Sequence, residues 1–424
     1  MNIIYDISVL GSGFYNPRAR TGIFRVVENL ATELVKMDII SSFSPAINIS
    51  SYFDCFDYLQ SNSLLNTIPL IEPTVKNDYT KIAFYLHRHL RNLSSRSINE
   101  RIIYKLFFNR YSVDLFNLFF ERDDLFDAND IYHSLFHPVP KQVRANKKLK
   151  PILTVYDLIA VLYPSFFNNK TNQLVKNILS SIDEDVWVTC ISQATKDDLC
   201  NYLPLLNPDK VFVTHLAASD LFYQCLNQED ISAVKSKFAI PECAYILSLS
   251  TLEPRKNIAQ TIRCFARLIE QEAINDLSLV LVGTKGWDFD DIFNEITRNP
   301  KLHNKIIITG YVPDNDLAAL YSGAMMFVYP SFYEGFGLPP LEAMQCGVPV
   351  ITSNTSSLPE VVGQAGIMVE PTDDAALCQA MLDIYRSSEM REKMSAASLM
   401  QARKFSWQKC AEQTVEVYQS AVSY

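Results

Sequence analysis

Residues 331–360 read SFYEGFGLPPLEAMQCGVPVITSNTSSLPE and follow an apolar run at residues 325–329. The apolar run predicts a buried strand, the proline pair at 339–340 predicts the start of a short helix, and Gly347 predicts its end. Residues 348–351 predict the next strand. In such a unit the loop and the helix N-terminus lie at the carboxyl end of a parallel sheet, where free backbone N–H groups bind an anion or a nucleotide.

Two carboxylates belong to this unit, Glu334 in the loop and Glu342 in the first helical turn. An ordinary structural interpretation covers Glu342, because an acidic side chain near a helix N-terminus is a common partner of the helix dipole. It does not cover Glu334, which precedes the helix. Because an ionised carboxylate only accepts hydrogen bonds, it suits hydroxyl groups better than phosphates. The local chemistry therefore indicates a ligand that carries both sugar hydroxyls and phosphate.

Arg255 and Lys256 stand between a predicted strand and a predicted helix N-terminus. Two cations at that end of a helix oppose its dipole, so a purely structural role is disfavoured and an anion is expected to offset them. Phosphate matches the planar fork of arginine and the compact charge of lysine. We interpret the pair as a phosphate site.

The C-terminal half of the chain alternates strand and helix signals at regular spacing. Asn257 and Asp314 are expected to cap two of its helices. This alternation predicts an open, doubly wound parallel sheet of the α/β class. The predicted strands are residues 245–249, 277–282, 305–309, 325–329 and 348–351.

The N-terminal half carries the same signals more loosely, with strands at residues 2–6, 152–156 and 186–191 and a helix at 22–35. Two such sheets predict two Rossmann-like domains that face each other across a cleft. The predicted division is a first domain at residues 1–218 with a largely helical insertion at about 38–125, a second domain at 219–405, and a final helix within 406–424.

Composition excludes several other classes of protein. The chain has 424 residues, 48% of them hydrophobic, which is enough for two domains with cores. Its net charge of −9 disfavours nucleic acid as a partner. We expect a cytoplasmic protein, because no apolar run reaches the ~20 residues of a membrane span and the start of the chain lacks a signal-peptide pattern. Nine scattered cysteines without a C-x-x-C motif indicate reduced thiols and disfavour zinc.

The stretch from Glu334 to Glu342 resembles the E-x7-E motif of glycosyltransferase family 4, a group of retaining, nucleotide-sugar-dependent enzymes with the GT-B fold. The resemblance is dense from about residue 240 to 375, patchy from 1 to 220, and absent from 38 to 125. It includes TLEPRKN at 251–257, VG at 282–283, GYV at 310–312, TGIFRVVE at 21–28, TVYDL at 154–158 and ISQATKDDL at 191–199.

The resemblance implies a role for each matching residue. Arg255 and Lys256 are expected to hold the donor pyrophosphate and stabilise the leaving nucleoside diphosphate, while Glu334 holds sugar hydroxyls and Glu342 holds the ribose. The implied site contains Glu334, Arg255, Lys256 and Tyr156 as catalytic residues; Gly22, Gly283, Val312, Gly335, Phe336, Gly337, Leu338 and Glu342 as donor-binding residues; and His133 and Asp157 on the acceptor side.

The resemblance also implies a reaction. The expected enzyme retains the anomeric configuration, needs no metal, and has no cofactor beyond its nucleotide-sugar substrate. The segment LEPRKN at residues 252–257 resembles the corresponding segment of bacterial polysaccharide mannosyltransferases, and this resemblance favours GDP-mannose as the donor. The expected acceptor is a saccharide or a polyprenyl-pyrophosphate-linked saccharide, and the last helix is expected to return to the first domain.

One departure from the family pattern concerns Tyr156-Asp157, because many members have His-Asp at this place. A tyrosine donates one hydrogen bond but cannot act as a base near neutral pH, since its unperturbed pKa is about 10. This weakens any mechanism that needs a histidine base. The alternative is that Tyr156 merely packs at the end of a strand.

Metal-binding patterns are weak in this chain. The pairs Asp288-Phe-Asp290 and Asp314-Asn-Asp316 stand at predicted helix starts, where aspartate is a common cap. His133 and His137 are four residues apart, but the prolines at 138 and 140 disfavour a helix there. We expect His133 to lie in a loop that faces the cleft, either as an acceptor contact or as plain loop structure.

A basic, aromatic segment at residues 81–110 contains seven lysines and arginines against one acid. It is interpreted either as a solvated helix face or as a peripheral contact with an anionic membrane.

Two other functions stay open at this point. A non-catalytic, GT-B-like protein that binds a sugar nucleotide would be marked by loss of Glu334 or of the Arg255-Lys256 pair, and all three residues are present. A UDP-sugar epimerase of the GT-B type would need acid–base residues in the cleft, and the sequence does not supply them.

Overall fold

The structure, a computed structural model, describes residues 1–14, 22–45, 49–71, 128–284, 286, 290–297 and 302–424. Thr21, Asp288 and the basic segment at residues 81–110 lie outside the described residues, as does most of the expected insertion at 38–125.

The first half of the described chain forms a parallel sheet with helices on its faces. The strands are β1 (Ile3–Asp6), β2 (Ile40–Ser44), β3 (Ile131–Ser134), β4 (Lys150–Val155), β5 (Trp187–Cys190) and β6 (Val211–Val213). Their order in the sheet is β2-β1-β3-β4-β5-β6. The helices are α1 (Ser8–Phe14), α2 (Ile23–Lys36), α3 (Ile49–Ser61), α4 (Lys141–Ala145), α5 (Ile159–Leu162), α6 (Asn169–Leu179) and α7 (Gln193–Tyr202).

The second half forms another parallel sheet. Its strands are β7 (Ala244–Leu249), β8 (Leu277–Val282), β9 (Ile306–Gly310), β10 (Met326–Tyr329), β11 (Val350–Ser353) and β12 (Ile367–Val369), in the order β12-β11-β10-β7-β8-β9. This is the strand order of a dinucleotide-binding sheet. The helices are α8 (Gln228–Lys237), α9 (Ile258–Glu270), α10 (Asp290–Thr297), α11 (Asp314–Ser322), α12 (Leu338–Gln345), α13 (Leu358–Val362), α14 (Asp374–Arg386), α15 (Ser388–Ala402) and α16 (Trp407–Ser423).

Simple apolar patterns account for these elements. Strand β8 reads LSLVLV and is buried at every position, as expected of a parallel strand covered on both faces. Helix α2 buries Phe24, Val27, Leu30 and Leu34 at helical spacing against the sheet. The predicted α/β class with two doubly wound sheets is confirmed.

Of the two predicted helix caps, Asp314 is wrong, whereas Asn257 is the N-cap residue as predicted but makes no capping hydrogen bond. Pro313, in extended backbone conformation, is the N-cap of α11, and Asp314 is already the first residue of that helix. Asn257 precedes α9 in the left-handed conformation, with φ of 56°, and its side chain does not cap the helix. Its amide donates instead to the carbonyl oxygens of Pro330 and Pro371, which ties α9 to the loops after β10 and β12.

The last helix, α16, crosses back to the first half of the chain and contacts α2 and β5. Tyr418 and Ala421 of α16 belong to the same buried apolar cluster as Tyr5 of the first sheet and Leu341 of α12. The two halves therefore share part of one apolar core. None of the helices in the described residues has the length and apolar content that crossing a bilayer requires.

Candidate active site

A cavity of about 750 Å³ lies between the carboxyl ends of the two sheets. The start of α2 and the segments after β4 and β5 bound it on one side. The segments after β7, β8 and β10 and the start of α12 bound it on the other. All the predicted site residues except His133 line this cavity: Gly22, Tyr156, Asp157, Arg255, Lys256, Gly283, Val312, Glu334, Gly335, Phe336, Gly337, Leu338 and Glu342.

The second sheet positions the charged residues at its topological switch point. Strands β7 and β10 are neighbours in the sheet although they are distant in the chain. Arg255 and Lys256 lie on a single 3₁₀ turn (Pro254–Lys256) that follows β7, and Glu334 lies in the loop after β10. Ligands of doubly wound sheets bind in the crevice at this point.

The Glu334 carboxylate is the centre of a buried charge cluster. Lys256 Nζ lies 2.6 Å from its Oε1, and a guanidinium nitrogen of Arg255 lies 3.0 Å from its Oε2. The hydroxyls of Tyr329 and Ser331 donate hydrogen bonds to Oε1 at 2.8 and 2.6 Å. The second sheet thus holds one carboxylate with two cations and two hydroxyls, all of them buried.

Burial and charge act in opposite directions on this cluster. Burial raises the pKa of the Glu334 carboxyl, but Arg255, Lys256 and the hydrogen bonds outweigh it and lower the pKa to about 2. Burial also lowers the pKa of the Lys256 ammonium, and Glu334 offsets only part of that effect. Glu334 is therefore an anion throughout the physiological pH range.

The anion expected beside the two cations is thus supplied by the protein itself. Arg255 donates further hydrogen bonds to Glu253 at 2.8 Å and to the carbonyl oxygen of Tyr333 at 2.6 Å. Lys256 also donates to the Tyr329 hydroxyl at 2.6 Å, so two of its three N–H groups are engaged. A phosphate group that enters the cavity has to compete with Glu334 for these donors.

Two glycines shape the loop that carries Glu334. Gly337 is the N-cap of α12 and has φ of 119°, a conformation that favours glycine. A Cβ atom on Gly335 would lie 2.6 Å from the carbonyl oxygen of Tyr156 and 3.0 Å from the Cβ of Asp157. The absence of a side chain at Gly335 therefore lets the two halves of the chain meet, and Ser192 Oγ donates to the Gly335 carbonyl at 2.7 Å.

Glu342 is buried on α12 and touches residues of both domains. The Tyr321 hydroxyl donates to one carboxylate oxygen at 3.1 Å, and a guanidinium nitrogen of Arg25 lies 3.4 Å from the other. Burial raises the pKa of the Glu342 carboxyl to about 7, although Arg25 and Tyr321 act in the opposite direction. Glu342 therefore changes its charge close to neutral pH.

Arg25 is the site residue that sequence reasoning missed. It lies on α2 in the first domain and reaches across the cavity, where it also pairs with Asp314 at 2.6 Å. Its side chain is only 18% exposed. No local pattern marks it, because Arg25 lies on the side of the helix opposite Val27, Leu30 and Leu34, as an ordinary solvent-exposed cation would.

The first domain contributes Tyr156 and Asp157, which follow β4. Burial raises the pKa of the Tyr156 phenol further above its ordinary value, so this residue cannot act as a base. Its buried hydroxyl has no hydrogen-bond partner among the described residues. Burial also raises the pKa of Asp157, whose Oδ1 accepts a hydrogen bond from the Ile159 N–H at 3.0 Å.

The expectation that His133 lies in a loop facing the cleft is wrong. Strand β3 continues through His133, which pairs with Ile152 of β4 and is fully buried. Its Nδ1 lies 2.7 Å from the Tyr418 hydroxyl, and its Nε2 lies 2.8 Å from Thr154 Oγ1. Burial lowers its pKa to about 3, so the ring is neutral. His133 is a core residue that links the first sheet to α16.

Two of the four aspartates considered as metal ligands, Asp314 and Asp316, form ion pairs. Asp314 pairs with Arg25, and Asp316 pairs with Lys237 at 2.7 Å. In the described part of the chain, no group of three or more His, Cys, Asp or Glu side chains is arranged to hold a metal ion.

Comparisons with known proteins agree with this geometry. Residues 208–399 match the family described as glycosyl transferases group 1. The O-antigen chain mannosyltransferase B of Escherichia coli is 33% identical over 309 residues, which cover 72% of this chain and 79% of that protein. The serotype-specific mannosyltransferase WbdA of Escherichia coli is 30% identical over 274 residues, and the matched part covers 64% of this chain but only 33% of WbdA.

The fold as a whole also has solved counterparts. The structure of the sucrose-phosphate synthase from Thermosynechococcus elongatus superposes with a TM-score of 0.66 at 18% sequence identity, covering 100% of this chain and 99% of that one. The two parallel sheets facing across a cavity are therefore those of the GT-B fold. The chain belongs to the group 1 glycosyltransferases. It is a hexosyltransferase, an enzyme that moves a sugar from a nucleotide sugar to a saccharide acceptor.

Proposed function

We propose that this enzyme transfers mannose from GDP-mannose to a saccharide or lipid-linked saccharide acceptor in the synthesis of a surface polysaccharide. We further propose that it retains the anomeric configuration and needs no metal ion. The observation that carries the proposal is the Glu334 carboxylate, held against Arg255 and Lys256 on the wall of the cavity.

The cations and the start of α12 suit the donor diphosphate. Arg255 and Lys256 lie on one side of the loop, and the backbone N–H groups of Phe336 and Gly337 lie at the N-terminus of α12. Fixed cations and helix N–H groups stabilise a leaving diphosphate most strongly when its charge develops in the transition state. This arrangement supplies the positive charge that a divalent ion supplies in metal-dependent transferases.

Donor binding rearranges the charge cluster. A diphosphate takes hydrogen bonds from Arg255 and Lys256 that Glu334 accepts in this structure. The oxygens of Glu334 are then available to the hydroxyls of the transferred sugar. The carboxylate thus serves as the partner of the cations before the donor binds and as the partner of the sugar afterwards.

The proposed transfer step needs no protein base. The acceptor hydroxyl attacks the anomeric carbon from the face that the diphosphate leaves, so the new C–O bond forms where the old one breaks. The hydroxyl proton passes to an oxygen of the leaving phosphate. This agrees with the raised pKa of the Tyr156 phenol, which keeps that group protonated.

The choice of mannose rests on the two Escherichia coli relatives, both of which are named mannosyltransferases. Glu342 is proposed to hold the ribose, and the backbone at Val312 to lie near the base. The proposal includes a location in the cytoplasm and a peripheral contact with the membrane. The membrane contact is assigned to residues 81–110 because of the basic composition of that segment.

The test is isothermal titration calorimetry with GDP-mannose, UDP-glucose, dTDP-glucose and ADP-glucose in EDTA. We expect GDP-mannose to bind most tightly, and Arg255→Ala to weaken that binding at least tenfold. Arg263→Ala is the matched control, because Arg263 lies on the next helix in a half-buried ion pair with Asp374 and does not line the cavity. Tighter binding of another donor would overturn the choice of GDP-mannose.

A turnover assay with the bound donor separates this proposal from its two rivals. Transfer of a radiolabelled sugar to an oligosaccharide supports the proposal. Binding without transfer or hydrolysis would favour a non-catalytic protein, and conversion of a UDP-sugar into its epimer would favour an epimerase.

A further inference from the structure

Four aromatic side chains form a cluster beside the cavity, three from the first domain and one from the second. Tyr163, Phe166 and Phe167 lie in the segment that follows β4 and α5, and Tyr333 comes from the loop after β10. We call these four residues the mouth cluster. The ring centroids of Tyr163 and Tyr333 are 5.1 Å apart, and those of Tyr163 and Phe166 are 6.1 Å apart. Phe167 lines the cavity itself.

The mouth cluster remains accessible to solvent. Tyr163 is 42% exposed, and Leu162 beside it is 37% exposed. Apolar surface that stays exposed next to an active-site cavity is a common mark of a binding surface. Since the cluster is continuous with the cavity through Phe167, a ligand that extends out of the cavity on this side passes over it.

Two carboxylates, those of Asp198 and Asp157, lie close to these aromatic rings. The Tyr333 hydroxyl donates a hydrogen bond to Asp198 of α7. Burial, as the largest cause, raises the pKa of Asp198, so this carboxyl is partly removed from water. Asp157 stands at the inner end of the same surface, on the cavity wall. The surface therefore combines aromatic faces with hydrogen-bond acceptors.

This combination matches the two chemical sides of a pyranose ring. One face of the ring presents C–H groups, whose partial positive charge complements the negative face of an aromatic ring. The edge presents hydroxyls, which donate to carboxylates. A lipid chain would cover the rings but would offer no further donor to Asp198 and Asp157, each of which has acceptor sites beyond its one donor among the described residues, and their desolvation would be unfavourable.

We propose that the mouth cluster is a subsite for an internal sugar of an oligosaccharide acceptor, which stacks on Tyr163 while the terminal sugar enters the cavity. The inference rests on the proposed function and deepens it, because it makes a chain of several sugars the preferred acceptor. Tyr163 and Tyr333 come from different domains, so the subsite is complete only when the two domains meet as they do here.

The test compares Tyr163→Ala with Tyr163→Phe, using free α-linked manno-oligosaccharides of one to four sugars as acceptors. Aromatic stacking contributes roughly 0.5–1.5 kcal/mol, so Tyr163→Ala should raise KM for the tetrasaccharide about two- to twelvefold. We expect KM for the monosaccharide and the affinity for GDP to stay unchanged. Tyr163→Phe keeps the ring and should restore the wild-type KM.

Tyr202→Ala is the matched control, because Tyr202 ends α7 and is 40% exposed, about as much as Tyr163. An equal rise of KM in this control, or an unchanged tetrasaccharide KM in Tyr163→Ala, would overturn the subsite. An effect that appears only with a polyprenyl-linked acceptor, and not with the free oligosaccharide, would assign the surface to the lipid and overturn the saccharide proposal.

Saturation-transfer NMR of the tetrasaccharide with the GDP-bound protein tests the subsite without turnover. The subsite is supported if the wild-type protein transfers saturation to the internal sugars and the Tyr163→Ala variant does not. This measurement needs no donor sugar. If such binding occurs and no nucleotide sugar is turned over, the proposed function fails while the subsite stands. If transfer occurs and Tyr163→Ala changes neither KM nor saturation, the subsite fails while the function stands.

Discussion

Glu334→Gln probes the charge cluster, because the substitution removes one negative charge and keeps the shape of the side chain. In the wild type, the carboxylate accepts from Arg255, Lys256, Tyr329 and Ser331 within 3.0 Å. A glutamine offers one acceptor oxygen and places two N–H donors against the two cations. We therefore expect a loss of stability together with a loss of transfer activity.

The pKa of Glu334 gives the size of the stability change. Relative to its ordinary value of 4.5, a folded-state pKa of about 2 means that folding favours the charged form by roughly 3 kcal/mol. Because this pKa is lowered, the contribution is fully present above pH 4.5 and is lost as the pH falls toward 2. Glutamine behaves as a neutral carboxyl in both states, so Glu334→Gln should lower the free energy of unfolding at pH 7 by roughly 3 kcal/mol.

Urea unfolding of both proteins at pH 7 and pH 3.5 measures this contribution. The difference between wild type and Glu334→Gln should shrink to roughly 2 kcal/mol at pH 3.5, because the Glu334 carboxyl of the unfolded chain is then mostly protonated while that of the folded protein is still ionised. Glu389→Gln is the matched control, since Glu389 forms an exposed pair with Lys393 and such pairs contribute about 0–1 kcal/mol. Equal unfolding midpoints for wild type and Glu334→Gln at pH 7 would refute the reasoning.

The other expected outcomes concern binding, turnover and the core. Arg255→Ala should lower kcat by about 10²-fold or more, because it removes a fixed charge at the leaving group, whereas Arg263→Ala should leave kcat near the wild-type value. Because the Glu342 carboxyl has a pKa of about 7 and ribose hydroxyls donate best to its ionised form, the affinity for GDP should fall about fivefold more from pH 8 to pH 6 in the wild type than in Glu342→Gln, whose remaining pH dependence reports the phosphate of GDP itself. Arg25→Ala removes the cation beside Glu342, which should move the midpoint of that pH profile upward. His133→Ala should lower the melting temperature and leave acceptor KM unchanged. A rise of acceptor KM without a fall in the melting temperature would show instead that His133 contacts the acceptor.

The site residues that could be predicted from the sequence are those that belong to short, local motifs. Glu334 and Glu342 stand in one loop–helix unit, and Arg255 with Lys256 follows a single strand. The rule that parallel strands place their following loops at one edge of a sheet was enough to bring these residues to one cavity. All of them line it.

What the sequence did not reveal was which of these residues contact each other. The contact between Lys256 and Glu334 joins positions 78 residues apart and depends on β7 and β10 being neighbours in the sheet. The cations were therefore expected to need an external anion, whereas the folded chain supplies one. Arg25 was missed for the same reason, because its partners Asp314 and Glu342 belong to the other domain.

His133 shows a different limit of sequence reasoning. Two prolines downstream suggested a loop, but the strand ends only after Ser134, and the imidazole finds partners in β4 and in the last helix. A histidine inside an apolar strand has the same local pattern whether it is a ligand contact or a buried core residue. Its hydrogen bond to Tyr418 links positions 285 residues apart, which no local pattern indicates.

The most direct test of the central proposal is proton NMR of the product formed from GDP-α-mannose and an α-linked mannotriose in the presence of EDTA. We expect a new α-configured mannosyl residue, formed at the same rate with and without EDTA. A β-configured product would contradict the retaining mechanism, and transfer that stops in EDTA and returns with magnesium or manganese would contradict the role given to Arg255 and Lys256.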